Sequence, residues 1–572
     1  MLGRNKGKQL FKLRIDGQEV TDETKIADEF NDYFSNVANN LVEKIPNDKK
    51  RKHFSHYLPR RNIDSLIFDP TSPTEVLKLA NKLSSKKSSG WDEIPQKIIK
   101  SSPIKIIIAL THIFNLSLSE GVFPSLMKKS KVVPIYKKGS KLQVENYRPI
   151  SLLPVFSKLL ERLIYNRLNA FLKKHNVLYE KQFGFRDKHS CSHATAYLSS
   201  RIHENLDNSE KTLSVFMDLS KAFDTINIDI MLAKLENYGI RGVANDWFRS
   251  YLSGRSQFVQ INKTKSTSLL NMLHGVPQGS ILGPLLFSIY INDFVNCLSF
   301  AEPIMFADDT TLVFKGKNID RLKLEVNFDL NSAADWLAEN KLSLNVRKTN
   351  YILFDLSRTK TTLNDICINN ENINRVQNQK FLGVIFDEKL SWKDHINSVI
   401  VKLNSCLGAT RRARPFLDKK SLFTIYHSLM QSHVNYCIET WGSWEPRGNQ
   451  VILRRLQAVL NKFIRMIYYL DDTDSVRHIL KSQGIFNVYQ NYNYYTSLLM
   501  YKALNDDLPR VIRNSLTTSN SFFYFKNPRL KQTERCISFA APKLWNVLPT
   551  ELVMEPDLDV FKRGLKTHYL NK

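Results

Sequence analysis

The sequence predicts an α+β protein. Three observations carry that expectation. Apolar strand patterns occur at Val132–Tyr136, Leu213–Asp218 and Pro303–Phe314. A long amphipathic helical stretch runs from Phe156 to Lys174. From about residue 400 to 470 the pattern turns helical. Taken in chain order, residues 1–70 are rich in Lys and Asn, show little sustained periodicity and read as a loose leader. A helix then opens at Ser72. Its hydroxyl suits an N-cap, Pro73 takes the first helical position and Glu75 closes a capping box. Val76, Leu77, Ala80 and Leu83 follow at helical spacing. The stretch Lys86–Pro95 breaks the pattern and reads as a loop. Val132–Tyr136 leads into the turn Lys137-Lys138-Gly139-Ser140. The Phe156–Lys174 helix directs Leu159, Leu160, Leu163, Ile164 and Leu168 inward. Within Pro303–Phe314, Asp308-Asp309 sits between two apolar arms, which predicts a hairpin with acids at its turn.

Charge narrows the function. The chain of 572 residues carries a formal net charge of +27, and a surplus that large on a folded chain points to a polyanionic partner. Nucleic acid leads. An anionic membrane comes second, because the basic residues are not gathered into one amphipathic helix or tail. The six cysteines, Cys191, Cys297, Cys367, Cys406, Cys437 and Cys536, lie too far apart for a zinc knuckle or a disulfide framework. The N-terminus has no apolar signal core. Ile104–Leu116 is the most apolar run, but it is short and holds Lys105, Thr111, His112 and Asn115, so it reads as a buried helix, not a membrane span. The expectation is a soluble protein of a reducing compartment.

Asp218 ends one strand pattern, and Asp308 and Asp309 sit at the tip of another. Adjacent residues in a strand face opposite sides, so one of the pair should point with Asp218. Carboxylates gathered at strand ends repel unless cations neutralise them. Hard divalent ions with oxygen ligands fit, and Mg²⁺ commonly takes one or two carboxylates plus substrate phosphates. Taken alone, each acid also suits an ordinary turn.

Six ordered segments change that weighting. Phe306-Ala307-Asp308-Asp309 resembles the Tyr/Phe-Ala-Asp-Asp box of reverse transcriptases. Met217–Ile226 (MDLSKAFDTI) resembles their first palm motif, and His274–Phe294 their Pro-Gln-Gly segment. Glu145–Ile164 resembles the fingers motifs. Leu342–Phe354 and Lys380–Trp392 resemble the later palm and primer-grip motifs. The resemblance runs from about Lys86 to Trp392. With KSSGWDEIP near the start and Ala540–Leu552 near the end, it is similar to the non-LTR (LINE-class) retrotransposon branch, jockey-like elements in particular.

The resemblance implies a right-hand polymerase: fingers at 71–211, palm and primer grip at 212–395, thumb at 396–470 and a helical tail at 471–572. Its palm is an antiparallel sheet backed by helices, which is the α+β class. Asp218 and Asp308 become the main ligands of two Mg²⁺ ions, with Mn²⁺ as a substitute, Asp309 as a weaker third acid and the Leu219 carbonyl as an extra oxygen. Phe223 falls where the family carries the group under the nucleotide sugar, and its ring would clash with a ribose 2′-OH. Asp224 reads as structural, a partner or cap for the next helix. Gln278 and Gly279 match the loop lining the nascent base pair. Lys137 and Arg148 match basic positions that grip the incoming triphosphate, and Arg suits phosphate through its planar fork. Lys348 falls where a Lys protonates departing pyrophosphate. The implied partners are an RNA template, a DNA primer and target DNA, and dNTPs, with no membrane. The endonuclease that such elements often carry is expected to be absent from this chain.

A polymerase also needs a sequence-blind hold on its duplex. At ~100° per residue, Val451–Tyr469 places Arg454, Arg455, Lys462 and Arg465 on one face and Leu453, Leu456, Leu460, Phe463, Ile464 and Ile467 on the other. Just after the primer-grip motif, such a helix suits a thumb that tracks phosphate. Two rival readings share these motifs: a decayed or domesticated nucleic-acid binder, and an intron maturase-like reverse transcriptase.

Overall fold

The structure is a computed structural model that describes residues 11–45, 51–84, 88–356, 365–443, 450–519, 522–524, 528–531 and 533–572. Lys86 and Lys87 of the expected loop lie outside the described residues. The chain folds as two interleaved units. One comprises Met1–Tyr179, Leu219–Ser299 and Asp329–Asn345. The other comprises Glu180–Asp218, Phe300–Phe328 and Val346–Lys572.

In the first unit, strand Lys129–Tyr136 pairs antiparallel with Tyr147–Leu152 and parallel with Arg255–Ile261. Leu270–Met272 and Thr264–Lys265 complete the sheet on Arg255–Ile261. Helix Val155–Lys174 buries Leu159, Leu160, Leu163, Ile164 and Leu168, the inward set expected from its spacing. Helix Pro73–Asn81 is capped by Ser72, whose Oγ accepts from the Glu75 N–H at 3.2 Å. The capping box is only half made. The Glu75 carboxylate accepts instead from Thr71 Oγ1 and faces Arg167.

Two expectations for this unit are corrected. The stretch read as a loose leader holds a hairpin, Leu13–Ile15 with Gln18–Val20, and a 20-residue helix, Glu23–Val42. Asp22 caps that helix, and Ile26, Ala27, Phe30, Phe34, Val37 and Ala38 are buried along it. Phe30 meets Tyr147 edge-on at 4.9 Å, in a core shared with Val132, Val259 and Ile261. Asn, Asp and Lys between the apolar positions obscure a 3.6-residue period that is nonetheless present. The second correction concerns Ile104–Glu120. It is a helix, but only Ile107, Leu110, Phe114 and Leu118 of its large apolar residues are buried, while Ile104, Ile106, Ile108, Ile113 and Leu116 are exposed. No described helix is long and apolar enough to cross a membrane.

The second unit is built on a five-stranded sheet. Its order is Glu302–Phe306, Asp309–Gly316, Lys211–Met217, Asn350–Phe354 and Asn374–Arg375, antiparallel except for the last pair. The expected acid hairpin is there, with Phe306 paired to Asp309 across its turn. Helix Cys191–Asp207 backs the sheet through Ala194, Leu198 and Ile202. Phe381-Leu382-Gly383, at the start of the Lys380–Trp392 segment, lies at a second hairpin, Asn378–Phe381 with Val384–Asp387. Gly383 turns it at φ +87°, with the Tyr436 ring so close that an added Cβ would lie 3.0 Å from it. Helices Lys393–Ala413, Gln450–Tyr468, Val488–Leu504, Ile537–Trp545 and Leu558–Asn571 follow, and their apolar faces join one core with Phe216, Ile304 and Ile352 of the sheet. All six cysteines are free.

Candidate active site

In the second unit, the acids gather at one end of the sheet because of register. Strand Lys211–Met217 is central, and Asp218 follows its last residue. Thr310 pairs with Met217 on one side, so the next step sets Asp309 level with Asp218. Asn350 pairs with Phe216 on the other side, which sets Lys348 level with Asp218. The Lys348 Nζ lies 3.8 Å from Asp218 Oδ2, with both side chains about half exposed. The Asp218 N–H donates to Thr349 Oγ1 at 3.4 Å. Asp308 is partly exposed and Asp309 exposed.

The turn carrying Asp308 is strained and externally held. Ala307 sits at φ +57°, a left-handed conformation that costs a residue with a Cβ about 1–2 kcal/mol. Its N–H donates at 3.0 Å to Oε1 of Gln182, which also accepts from the Gly184 N–H at 2.8 Å. Gln182 is 1% exposed. The Phe183 N–H donates to the Met305 carbonyl at 2.7 Å, and the Met305 N–H to the Lys181 carbonyl at 3.0 Å. An added Cβ at Gly184 would lie 2.4 Å from the Ala307 nitrogen, so this approach requires glycine. Sequence reasoning missed Gln182 and Gly184. Their one signal was a glutamine two residues before a glycine in a segment without apolar period.

Among the described residues, no three His, Cys, Asp or Glu side chains close into a metal cage. The donor set still suits a hard divalent ion, because Mg²⁺ is commonly held by one or two carboxylates with substrate phosphates filling the remaining positions.

The first unit assembles a separate polar cluster. Gln278 donates through Nε2 to both oxygens of Asp224, at 2.8 and 3.0 Å. Asp224 is buried, and burial lifts its carboxyl to about 6 against the opposing pull of Gln278 and Lys221. Asp224 is therefore the partner of Gln278 and not a helix cap. The cap of the next helix is Asn227, whose side chain accepts from the Ile230 N–H. Gly279 has φ +118°, and a Cβ there would lie 2.7 Å from the Ser151 carbonyl oxygen. The Ser151 N–H in turn donates to the Gln278 carbonyl at 2.7 Å. Phe223 is half-buried, with its ring stacked on Phe287 at 4.6 Å. Leu219 is buried in a short strand paired with Ser343–Leu344.

Two further residues of this cluster escaped notice. Glu161 is fully buried. Its Oε2 accepts from the N–H groups of Ile281 at 2.7 Å and Leu282 at 3.3 Å, and its Oε1 from Ser157 at 2.9 Å. Burial pushes its carboxyl up, while the buried Arg255 opposes that rise. Lys221 is partly buried at φ +49°, its ammonium 5.5 Å from the Tyr33 ring. Burial lowers it, Asp224 raises it, and the positive field of Arg148 lowers it again. Both lie inside quoted motifs, but one reads as an ordinary helical Glu and the other as a surface Lys. Arg148 is an exposed residue of strand Tyr147–Leu152, and Lys137 is exposed just beyond its partner strand.

Helix Gln450–Tyr468 in the second unit has the expected two faces. Leu453, Leu456, Leu460, Phe463, Ile464 and Ile467 are buried, while Arg454, Arg455 and Lys462 are exposed. Arg465 is half-buried, and its Nε donates to the Asp474 carbonyl at 2.8 Å.

A central antiparallel strand ending in one carboxylate, beside a hairpin whose turn presents two more, is the arrangement of a nucleotide polymerase. Residues 135–386 match the family described as reverse transcriptase (RNA-dependent DNA polymerase). Over that segment the chain is similar to the RNA-directed DNA polymerases of mobile elements. It is 30% identical over 426 residues to the RNA-directed DNA polymerase from mobile element jockey of Drosophila funebris, covering 72% of this chain and 46% of that one. It is 29% identical over 433 residues to the probable RNA-directed DNA polymerase from transposon BS of Drosophila melanogaster, again covering 72% and 46%. For the X-element counterpart of that species the identity is 28% over 412 residues, covering 70% and 44%. The chain thus spans less than half the length of these curated relatives. Among solved structures, an apo telomerase of Candida tropicalis aligns over 50% of this chain and 59% of its own, at 14% identity and a TM-score of 0.31.

Proposed function

We propose that this chain is an RNA-directed DNA polymerase that extends a DNA primer on an RNA template during retrotransposition. The observation that carries the proposal is the register that sets Asp218 level with Asp309 and with Lys348 at one sheet end. In this reading 71–211 act as fingers, 212–395 as palm and primer grip, 396–470 as thumb and 471–572 as a helical tail. Asp218, Asp308 and Asp309 would hold two Mg²⁺ ions, or Mn²⁺, which supply charge neutralisation at the primer hydroxyl and the leaving pyrophosphate.

The chain's own residues do the rest. The primer 3′-hydroxyl loses its proton to solvent as its oxygen attacks the α-phosphorus of a dNTP, the bond from that phosphorus to the oxygen bridging to the β-phosphate breaks, and pyrophosphate leaves. Lys348 donates a proton to that pyrophosphate. Arg148, Lys137 and Lys221 meet the triphosphate, and Arg148 does so bidentately. Phe223 excludes a ribose 2′-OH. Gln278, oriented by Asp224, and Gly279 line the nascent pair. Arg454, Arg455 and Lys462 track duplex phosphates, which carry no base information. Arg465, already engaged with Asp474, contributes less.

Primer extension on an RNA template with purified protein and Mg²⁺ tests the reading. Asp218→Asn and Asp308→Asn should each abolish extension and leave duplex binding intact, with Asp309→Asn milder. Extension near the wild-type level by the Asp308 variant would refute the assignment.

A further inference from the structure

Within the 396–470 segment read as thumb, the turn between helices Lys393–Ala413 and Lys419–Ile425 carries no role assigned so far. Its sequence, Arg411 to Lys420, holds five cations and one acid. The acid, Asp418, is committed to capping the second helix by accepting from the Ser421 N–H at 2.8 Å. Arg411 and Arg412 are exposed, and neither forms an ion pair among the described residues. At the apex, Phe416 is 88% exposed. Tyr469, at the end of helix Gln450–Tyr468, is 76% exposed. The two aromatic positions belong to one surface, because the Arg414 guanidinium lies 3.4 Å from the centre of the Tyr469 ring and the Lys419 ammonium 3.6 Å from that of Tyr468.

An almost fully exposed phenylalanine in a turn that carries five cations is a poor seat for an apolar protein partner, whose docking would strip water from the neighbouring charges. It suits a polymer with a π-face and a negative charge at every repeat. Bases stack on aromatic side chains whatever their identity, and cations beside the ring hold the phosphates. A duplex cannot offer a base face to a protruding ring without unstacking, whereas an unpaired strand offers one freely.

We propose that Phe416, in the turn that carries Arg411, Arg412, Arg414 and Lys419 and whose Arg414 covers the exposed Tyr469, is a stacking site for unpaired single-stranded nucleic acid, separate from the duplex-tracking face of Arg454, Arg455 and Lys462. This rests on the nucleic-acid-handling function proposed above. It adds a site that holds template not yet copied, or strand already released.

Binding of the full chain to a labelled oligouridylate, the matching oligothymidylate and a duplex of equal length tests this, each across a salt series. Phe416→Ala should weaken single-strand binding about tenfold, the order expected for one stacked base, with the salt slope and duplex affinity unchanged. Phe416→Trp should keep the affinity and show added emission that single strands quench. Arg411→Gln with Arg412→Gln should flatten the salt slope for single strands by about two phosphates. A larger loss for oligouridylate than for oligothymidylate identifies RNA as the ligand, and equal losses identify single strands generally. Unchanged single-strand binding in a folded Phe416→Ala would overturn the proposal. So would an equal loss of duplex binding, or a wild-type dimer that this variant dissociates, since the turn would then be a duplex contact or a protein interface. Because the readout is binding, a chain that fails to extend primers yet shows the Phe416 effect would refute the polymerase reading and leave this site standing.

Discussion

Replacing Gln182 by Leu should damage polymerisation from a position that touches no substrate. Gln182 Oε1 is the acceptor for two backbone N–H groups, those of Gly184 and Ala307, in a fully buried setting. Leucine fills a similar volume and accepts nothing. A buried donor left without a partner costs about 1–3 kcal/mol. Two such donors, partly relieved by local adjustment, give an expected loss of about 3 kcal/mol in folding stability. The damage concentrates at Ala307, because its φ of +57° is unfavourable for alanine and the Gln182 bond helps hold it. When that turn relaxes, Asp308 moves. A displacement of this kind affects the chemical step more than binding, so kcat should fall about 10- to 100-fold, equal to about 1.4–2.7 kcal/mol in the barrier, with KM for dNTP nearly constant. Urea denaturation and single-turnover primer extension on one RNA template give the two numbers. Gln182→Glu restores the acceptor at the expense of a buried charge, and should recover part of the rate. A folded Leu variant that extends at the wild-type rate would refute the reasoning, because the acid turn would then hold its geometry without Gln182.

Three other outcomes follow from single contacts. Phe223→Val should raise ribonucleotide incorporation relative to deoxyribonucleotide several-fold in a competition assay; an unchanged ratio would assign the ring to its stack on Phe287 alone. Lys234→Met should cost about 3–5 kcal/mol in urea unfolding, because Lys234 and Asp293 form a fully buried pair at 2.5 Å and Asp293 would be left charged and unpaired; a loss too small to measure would show that Trp336 and water suffice for Asp293. Asp224 has a folded carboxyl near 6 against 3.8 unfolded, so the folded state binds its proton more tightly. Wild type should lose stability relative to Asp224→Asn as pH rises from about 4 to about 6, by no more than about 3 kcal/mol, with a constant difference above that window. Parallel stability curves across it would refute the shift.

The acid hairpin was legible because two independent patterns agreed on it: apolar runs on both arms of Pro303–Phe314 and a pair of acids where those runs break. Helix Val155–Lys174 was legible to within a residue for the same reason, a strong period with long apolar side chains. The pairing partners of Lys211–Met217 were not. Asn350 lies 134 residues downstream of its registered partner Phe216, and strand register over such separations has no local signature. Helix Glu23–Val42 was missed because its apolar residues are spaced correctly but outnumbered, and only the sheet it packs against reveals which of them matter. Asp224 and Gln278 were both singled out, yet their bond to each other was invisible, because 54 positions separate them and neither residue type names its partner.

The two candidate-site turns are held by one device in two chemical forms. In each unit a buried side-chain oxygen accepts from two backbone N–H groups: Gln182 from Gly184 and Ala307, Glu161 from Ile281 and Leu282. A single acceptor fixing two donors removes backbone freedom at each turn from a buried position. The choice between amide and carboxylate follows from local charge. Glu161 has the buried Arg255 to offset its charge, so an ionisable acceptor is tolerable there and gives the stronger bonds. Gln182 holds the turn that presents Asp308 and Asp309, where another negative charge would add to an existing repulsion. A neutral acceptor at 182 and a charged one at 161 are therefore not interchangeable. The reciprocal substitutions separate the two effects: Glu161→Gln should weaken its turn by losing charge-assisted bonds, whereas Gln182→Glu keeps its bonds and suffers through electrostatics, so only the latter should improve as pH falls and the new carboxyl takes up a proton.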